Sequence, residues 1–120
     1  MIISNDDEIE QAWKELAKEL TSHFGKKPDL QAVLYLVGIQ ELGKGNQRFS
    51  KEEKQDLMHI AICKVLSFSG YYELEGLDDQ GWPHWKLVKK LPFFDLLSQE
   101  VFLKMHVLEY FEKEIGLSIQ

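Results

Sequence analysis

A chain of 120 residues with 44% hydrophobic and 28% charged residues has the size of one ordinary domain, able to bury a core and unlike a disordered segment. The formal net charge of −6 opposes non-specific attraction to nucleic acid or anionic lipid, and the longest apolar run, Ala32–Ile39, is too short to span a bilayer. The single cysteine, Cys63, excludes an intramolecular disulfide; with an acidic N-terminal stretch lacking a basic n-region, it predicts a cytoplasmic protein.

Asn5-Asp6-Asp7-Glu8 reads as a helix N-cap with a capping-box partner, and acids in the first turn suit the positive end of the helix dipole. Ile9, Ala12, Trp13, Leu16, Ala17, Leu20 and Phe24 then follow helical spacing up to Gly25. After Lys26-Lys27-Pro28-Asp29, the run Leu30–Leu42 is apolar on nearly all sides. Alternating β-branched residues would also suit a strand, but a dozen residues between Pro28 and Gly43 favour a central helix, with Gly38 lowering its propensity. Gly43-Lys44-Gly45-Asn46 turns the chain. Ser50 and Glu53 have capping-box spacing for a third helix, whose inner face is Leu57, Ile60, Ala61 and Cys63–Leu66. Phe49 takes the staple position without an apolar partner at Lys54.

The texture changes at Ser69-Gly70. Tyr71–Glu75 reads as a strand, Asp78-Asp79-Gln80-Gly81 as a turn, and Trp82–Val88 as a returning strand that Pro83 makes an edge or a late start. Half of the aromatic residues fall between Phe68 and Phe94. An isolated hairpin is marginal, so these rings must pack on the helices or on a partner. Pro92 ends the hairpin, Asp95 or Ser98 caps a last helix carrying Val101, Phe102, Met105, Leu108, Phe111 and Ile115, and Gly116 stops it. No repeat or linker interrupts residues 1–120. The expectation is a single, mainly α (α+β) domain of four helices with one β-hairpin between helices 3 and 4.

Three constellations carry chemistry. Asp56, His59 and Cys63 lie near one face of the third helix, where a carboxylate, an imidazole and a thiol could ligate a metal or activate the thiol. The plainer account makes Asp56 exposed, His59 partly buried and Cys63 a small core residue. Trp82-Pro83-His84-Trp85 sets a histidine between two tryptophans. Alternation puts Trp82 and His84 on one face and Trp85 and Leu87 on the other, with Trp85 anchoring the hairpin and His84 in water. The Gly-Lys-Gly-Asn loop could cradle an anion, although it matches no phosphate-binding fingerprint and its basic residues suit the negative end of the preceding helix. Neither a nucleophile-elbow, a zinc-protease nor a Cys-x-x-Cys motif is present, and no cofactor motif is found.

The order of three helices, a hairpin and a helix is also that of a winged helix, in which residues 50–66 would be the recognition helix and residues 71–88 the wing. Charge argues against DNA: Glu52, Glu53, Asp56, Glu73, Glu75, Asp78 and Asp79 would face it, against few lysines. Gly38–Gly43, Lys51–Cys63, Gly70-Tyr71-Tyr72 and Gly81–Trp85 resemble a family of small, uncharacterised bacterial proteins across about the central half of the chain. The resemblance implies a bacterial, cytoplasmic origin and no activity, cofactor or catalytic residue.

The reading that follows is a non-enzymatic interaction module, self-associating as a homodimer or binding a protein through Tyr71, Tyr72, Trp82, His84 and Trp85. A nucleic-acid binder and a small enzyme or metal protein using His59, Cys63 or His84 are the alternatives. Convergence of Trp82, His84, His59 and Glu41 on one cavity would favour the last.

Overall fold

The computed structural model describes residues 6–45, 47–92 and 95–115, the side chains of residues 6, 23, 96, 97 and 115 excepted. Its elements are α1 (Asp6–Phe24), α2 (Leu30–Leu42), α3 (Lys51–Ser67), β1 (Tyr72–Leu77), β2 (Pro83–Leu87) and α4 (Leu96–Tyr110), the last continued by a π-helical turn, Phe111–Ile115. The expected four helices with a hairpin between the third and fourth are present. No helix among the described residues is long and apolar enough to cross a membrane. The cap expected at Asn5 and the stop at Gly116 lie outside the described residues, as do Asn46, Phe93 and Phe94.

The chain divides into two compact units, residues 1–30 with 93–120, and residues 31–92. The first consists mainly of α1 and α4, which pack together. α1 buries Ile9, Ala12, Trp13, Leu16, Ala17 and Leu20, as its helical spacing predicts, and ends where Gly25, at φ 71°, donates its N–H to Thr21 O at 2.8 Å. α4 opens on Asp95, whose Oδ1 accepts the Ser98 N–H at 2.8 Å, and buries Leu103, His106, Val107 and Leu108. Lys104 ties the two helices: its Nζ lies 3.2 Å from Glu10 Oε1, 3.5 Å from Glu100 Oε1 and 5.4 Å from the centre of the Trp13 ring.

The second unit holds α2, α3 and the hairpin. α3 starts on the expected capping box, Ser50 Oγ accepting the Glu53 N–H at 3.1 Å and Glu53 Oε1 the Ser50 N–H at 2.8 Å. Gly38 sits where α2 passes α3 most closely. A Cβ there would lie 3.0 Å from Leu57 Cβ and 2.7 Å from the Leu57 carbonyl carbon, so only glycine fits. Phe49 finds its packing partners in the tertiary structure instead of at the staple position. It is buried with Leu42 and Leu57, and its ring meets Tyr35 and Trp82 edge-on at 6.4 and 6.5 Å. Trp82 therefore ties the hairpin to this cluster.

The two strands pair antiparallel, Tyr72 with Leu87, Glu73 with Lys86, Leu74 with Trp85, Gly76 with His84 and Leu77 with Pro83, with a bulge between Leu74 and Gly76. Pro83 opens β2, a late start that costs no ladder bond on this two-stranded sheet. Cross-strand partners share a face, so Tyr72, Leu74 and Leu77 line up with Leu87, Trp85 and Pro83 as one wholly apolar face, and Glu73, Lys86 and His84 stand on the other. The turn is built by Asp78. Its carbonyl accepts the Gly81 N–H at 3.0 Å, and its Oδ1 accepts the Gln80 and Trp82 N–H groups, both at 2.9 Å. Lys44, from the glycine loop, donates to the Gln80 carbonyl of this turn. That bond spends the loop's lysine on the hairpin, where the sequence suggested the end of α2.

Candidate functional site

α3 packs against both strands, and where its first turns meet the hairpin tip a solvent-open recess of about 270 Å³ remains. Its wall is formed by Asp56, His59 and Ile60 of α3, by Asp78 of the turn, and by Trp82, Pro83, His84 and Trp85. The spacing of Asp56, His59 and Ile60 places them on one side of the helix. Pro83, His84 and Trp85 are consecutive, so both faces of the start of β2 contribute. Three of the four residues whose convergence the sequence made diagnostic, His59, Trp82 and His84, do meet here. Glu41 does not line the recess; it lies 3.9 Å from Lys64 Nζ.

Asp78 and His84 form the best-defined polar pair, Nε2 to Oδ2 at 3.0 Å. The hydrogen bond from His84, followed by that from the Trp82 amide, holds the Asp78 carboxyl below its ordinary range, so it carries a fixed negative charge. His84 is exposed and faces water. His59 is exposed as well, its ring edge-on to Tyr72 at 6.4 Å. Its Nε2 lies 3.5 Å from Cys63 Sγ, but this contact does not activate the thiol: Cys63 is buried, and burial pushes its pKa up to about 12. A thiol so protonated at neutral pH is a packing group. Tyr72 is likewise raised, first by burial. Tyr71 stands apart from the recess, under the Lys89 ammonium at 4.2 Å from the ring centre. Among the described residues, no group of three or more His, Cys, Asp or Glu side chains is placed to hold a metal ion.

The indole Nε1 of Trp85 is buried without a hydrogen-bond partner. Beside it, the apolar face is left half uncovered. Among the described residues the large apolar side chains that stand exposed are Leu74 at 53%, Leu77 at 66%, Leu87 at 50% and Val88 at 44%. All four belong to the hairpin or the residue that follows it. Leu74 and Leu77 are the cross-strand partners of Trp85 and Pro83, so this exposed strip borders the recess directly.

Sequence alone does not single out Asp78 or the exposed leucines as site residues. Asp78 reads in sequence only as the first residue of a turn, and its second task depends on His84, six residues away, folding back over it. The leucines alternate correctly for a buried face, and nothing in the sequence says that α3 covers only part of it. Comparison of the chain with protein-family models, with curated proteins and with solved structures gives no match.

Proposed function

We propose that this chain is a non-enzymatic interaction module that docks a basic, apolar-anchored segment of another protein on the exposed face of its hairpin. The observation carrying this reading is the exposure of Leu74, Leu77 and Leu87 on one face of a single small element. Charge selects the partner. Glu75, Asp78 and Asp79 adjoin Leu74 and Leu77 along the chain, Glu73 standing on the other face opposite Lys86, and no Lys or Arg occurs between Lys64 and Lys86. A second copy of a chain with net charge −6 would bring more acid to this strip, whereas a segment carrying Lys or Arg beside apolar residues complements it. The same acids disfavour DNA as the occupant. Nor does the recess present an activated nucleophile, because Cys63 is buried and protonated.

A photoreactive amino acid placed at Leu77, with one at exposed Lys18 on α1 as control, tests this in cells. The expected outcome is one discrete adduct from position 77, joined through a Lys/Arg-bearing segment, absent from position 18, and lost when Glu75 and Asp79 are both changed to Lys. An adduct of twice the chain's own mass, or one that survives the charge reversal, refutes the proposed partner.

A further inference from the structure

We propose that the recess beside Leu74 and Leu77 receives an arginine side chain of the docked partner, its guanidinium set between the indoles of Trp82 and Trp85 and the carboxylates of Asp56 and Asp78. This rests on the hairpin as docking face and adds the chemistry of its anchor. Size is the first argument. A recess of about 270 Å³ falls just below the ~300–1,000 Å³ of drug-sized pockets and suits one long side chain.

Charge is the second. No Lys or Arg lines the recess, and it holds two carboxylates from two different elements, Asp56 of α3 and Asp78 of the turn. A phosphate or carboxylate ligand would be repelled. A metal ion lacks the necessary cluster of ligands among the described residues. An organic cation remains, and tryptophan, which supplies two residues of the wall, is the side chain whose ring attracts one best.

Preorganisation is the third. Asp78 is held by two backbone N–H groups and by His84, so its charge is presented without freezing a rotamer on binding. Arginine fits better than lysine, because its planar guanidinium stacks on an indole while its fork of donors reaches two carboxylates. Cross-strand adjacency to Leu74 and Leu77 then requires apolar residues next to that arginine, which a free guanidino metabolite lacks.

The test is a titration of the full chain with acetyl-arginine-amide, acetyl-lysine-amide, acetyl-leucine-amide and acetyl-Leu-Arg-Leu-amide, followed by the indole and methyl NMR signals. The arginine probe is expected to shift the Trp82 and Trp85 indole signals saturably, and the lysine probe to bind several-fold more weakly. Flanking leucines should tighten binding about tenfold, with Leu74 and Leu77 methyl shifts. Asp56→Asn, at an exposed position, should weaken the arginine probe up to about fivefold, the worth of an exposed ion pair. Methyl shifts with the leucine-bearing probe and no saturable indole response overturn the arginine anchor and leave the docking face standing. Indole shifts that flanking leucines do not strengthen overturn it as a partner's anchor, and with no adduct from position 77 the docking face falls too. Equal responses to the arginine and leucine probes, or an unchanged affinity in Asp56→Asn, overturn it as a guanidinium site.

Discussion

Replacing Gly38 with Ala separates the two roles a helical glycine can have. In an open helix the added methyl would stabilise by about 1 kcal/mol, because glycine is the costlier residue there. At Gly38 the new Cβ would meet the Leu57 carbonyl group and come within 3.0 Å of Leu57 Cβ. The nearest atoms are backbone, so no rotamer change relieves the clash and α2 must move away from α3. Overpacking of this kind costs about 1–3 kcal/mol, and the rigid neighbour puts Gly38 at the upper end. The expected net loss is about 2 kcal/mol, which with a urea m-value of roughly 2 kcal/mol/M lowers the midpoint by about 1 M. Urea unfolding followed by circular dichroism measures it. Gly25→Ala is the companion variant: nothing lies within 4 Å of a Cβ there, so only the left-handed φ of 71° opposes it, at roughly 1 kcal/mol. Leu57→Val should not rescue Gly38→Ala, because the carbonyl remains; since the two residues touch, their losses should couple by about 0.5–3 kcal/mol and not simply add. A Gly38→Ala protein as stable as wild type, with an unchanged m-value, would refute the close approach of α2 and α3.

Trp82→Ala removes the hairpin's anchor and should cost about 3 kcal/mol, the low end for a large aromatic because Trp82 is only part-buried, whereas Trp85→Phe deletes a buried, unpartnered N–H and should leave the urea midpoint unchanged or raised. Cys63 should resist maleimide at pH 7 in the native protein and react at once in denaturant, since its thiol is pushed up to about 12; rapid native labelling would contradict its burial. His106, buried and hydrogen-bonded through Nδ1 to Phe102 O at 2.8 Å, has its pKa held below the usual 6.5, chiefly by burial. The unfolded chain therefore binds that proton more readily: stability is full above pH 6.5 and falls as pH drops through it, levelling off below the depressed native value. Urea midpoints between pH 7 and pH 5 should decline less in His106→Gln than in wild type.

Local rules made most of the architecture legible. Helical spacing from Ile9 to Leu20, the Ser50–Glu53 box, Asp95 as a cap and the Asp78–Gly81 turn each depend on residues within a turn or two of one another, and each is where the sequence puts it. Misreadings concern residues whose partners are distant in the chain. Phe49 seemed to lack a staple partner because its partners are Tyr35 and Trp82. Gly38 looked like a weakness in α2 because its reason lies on α3, at Leu57. Lys44 suits the nearest helix end by sequence, yet it reaches a carbonyl thirty-six residues on.

The site follows the same division, and the hairpin shows how. Its strand edges are poor places to add another strand: the bulge interrupts β1, Glu73 and Glu75 charge it, and Pro83 withholds a donor at the start of β2. Such features protect edges from unwanted pairing. They leave the apolar face as the surface on which a partner can gain burial, and α3 already covers part of it through Tyr72. What α3 leaves is a strip, Leu74 and Leu77, bordered by an acid-bearing recess with two indoles in its wall. Leucines alone would accept any apolar surface, and carboxylates alone any cation. Under the docking proposed above, the two held side by side require both features in one segment, and the proposed specificity of the hairpin rests on that requirement.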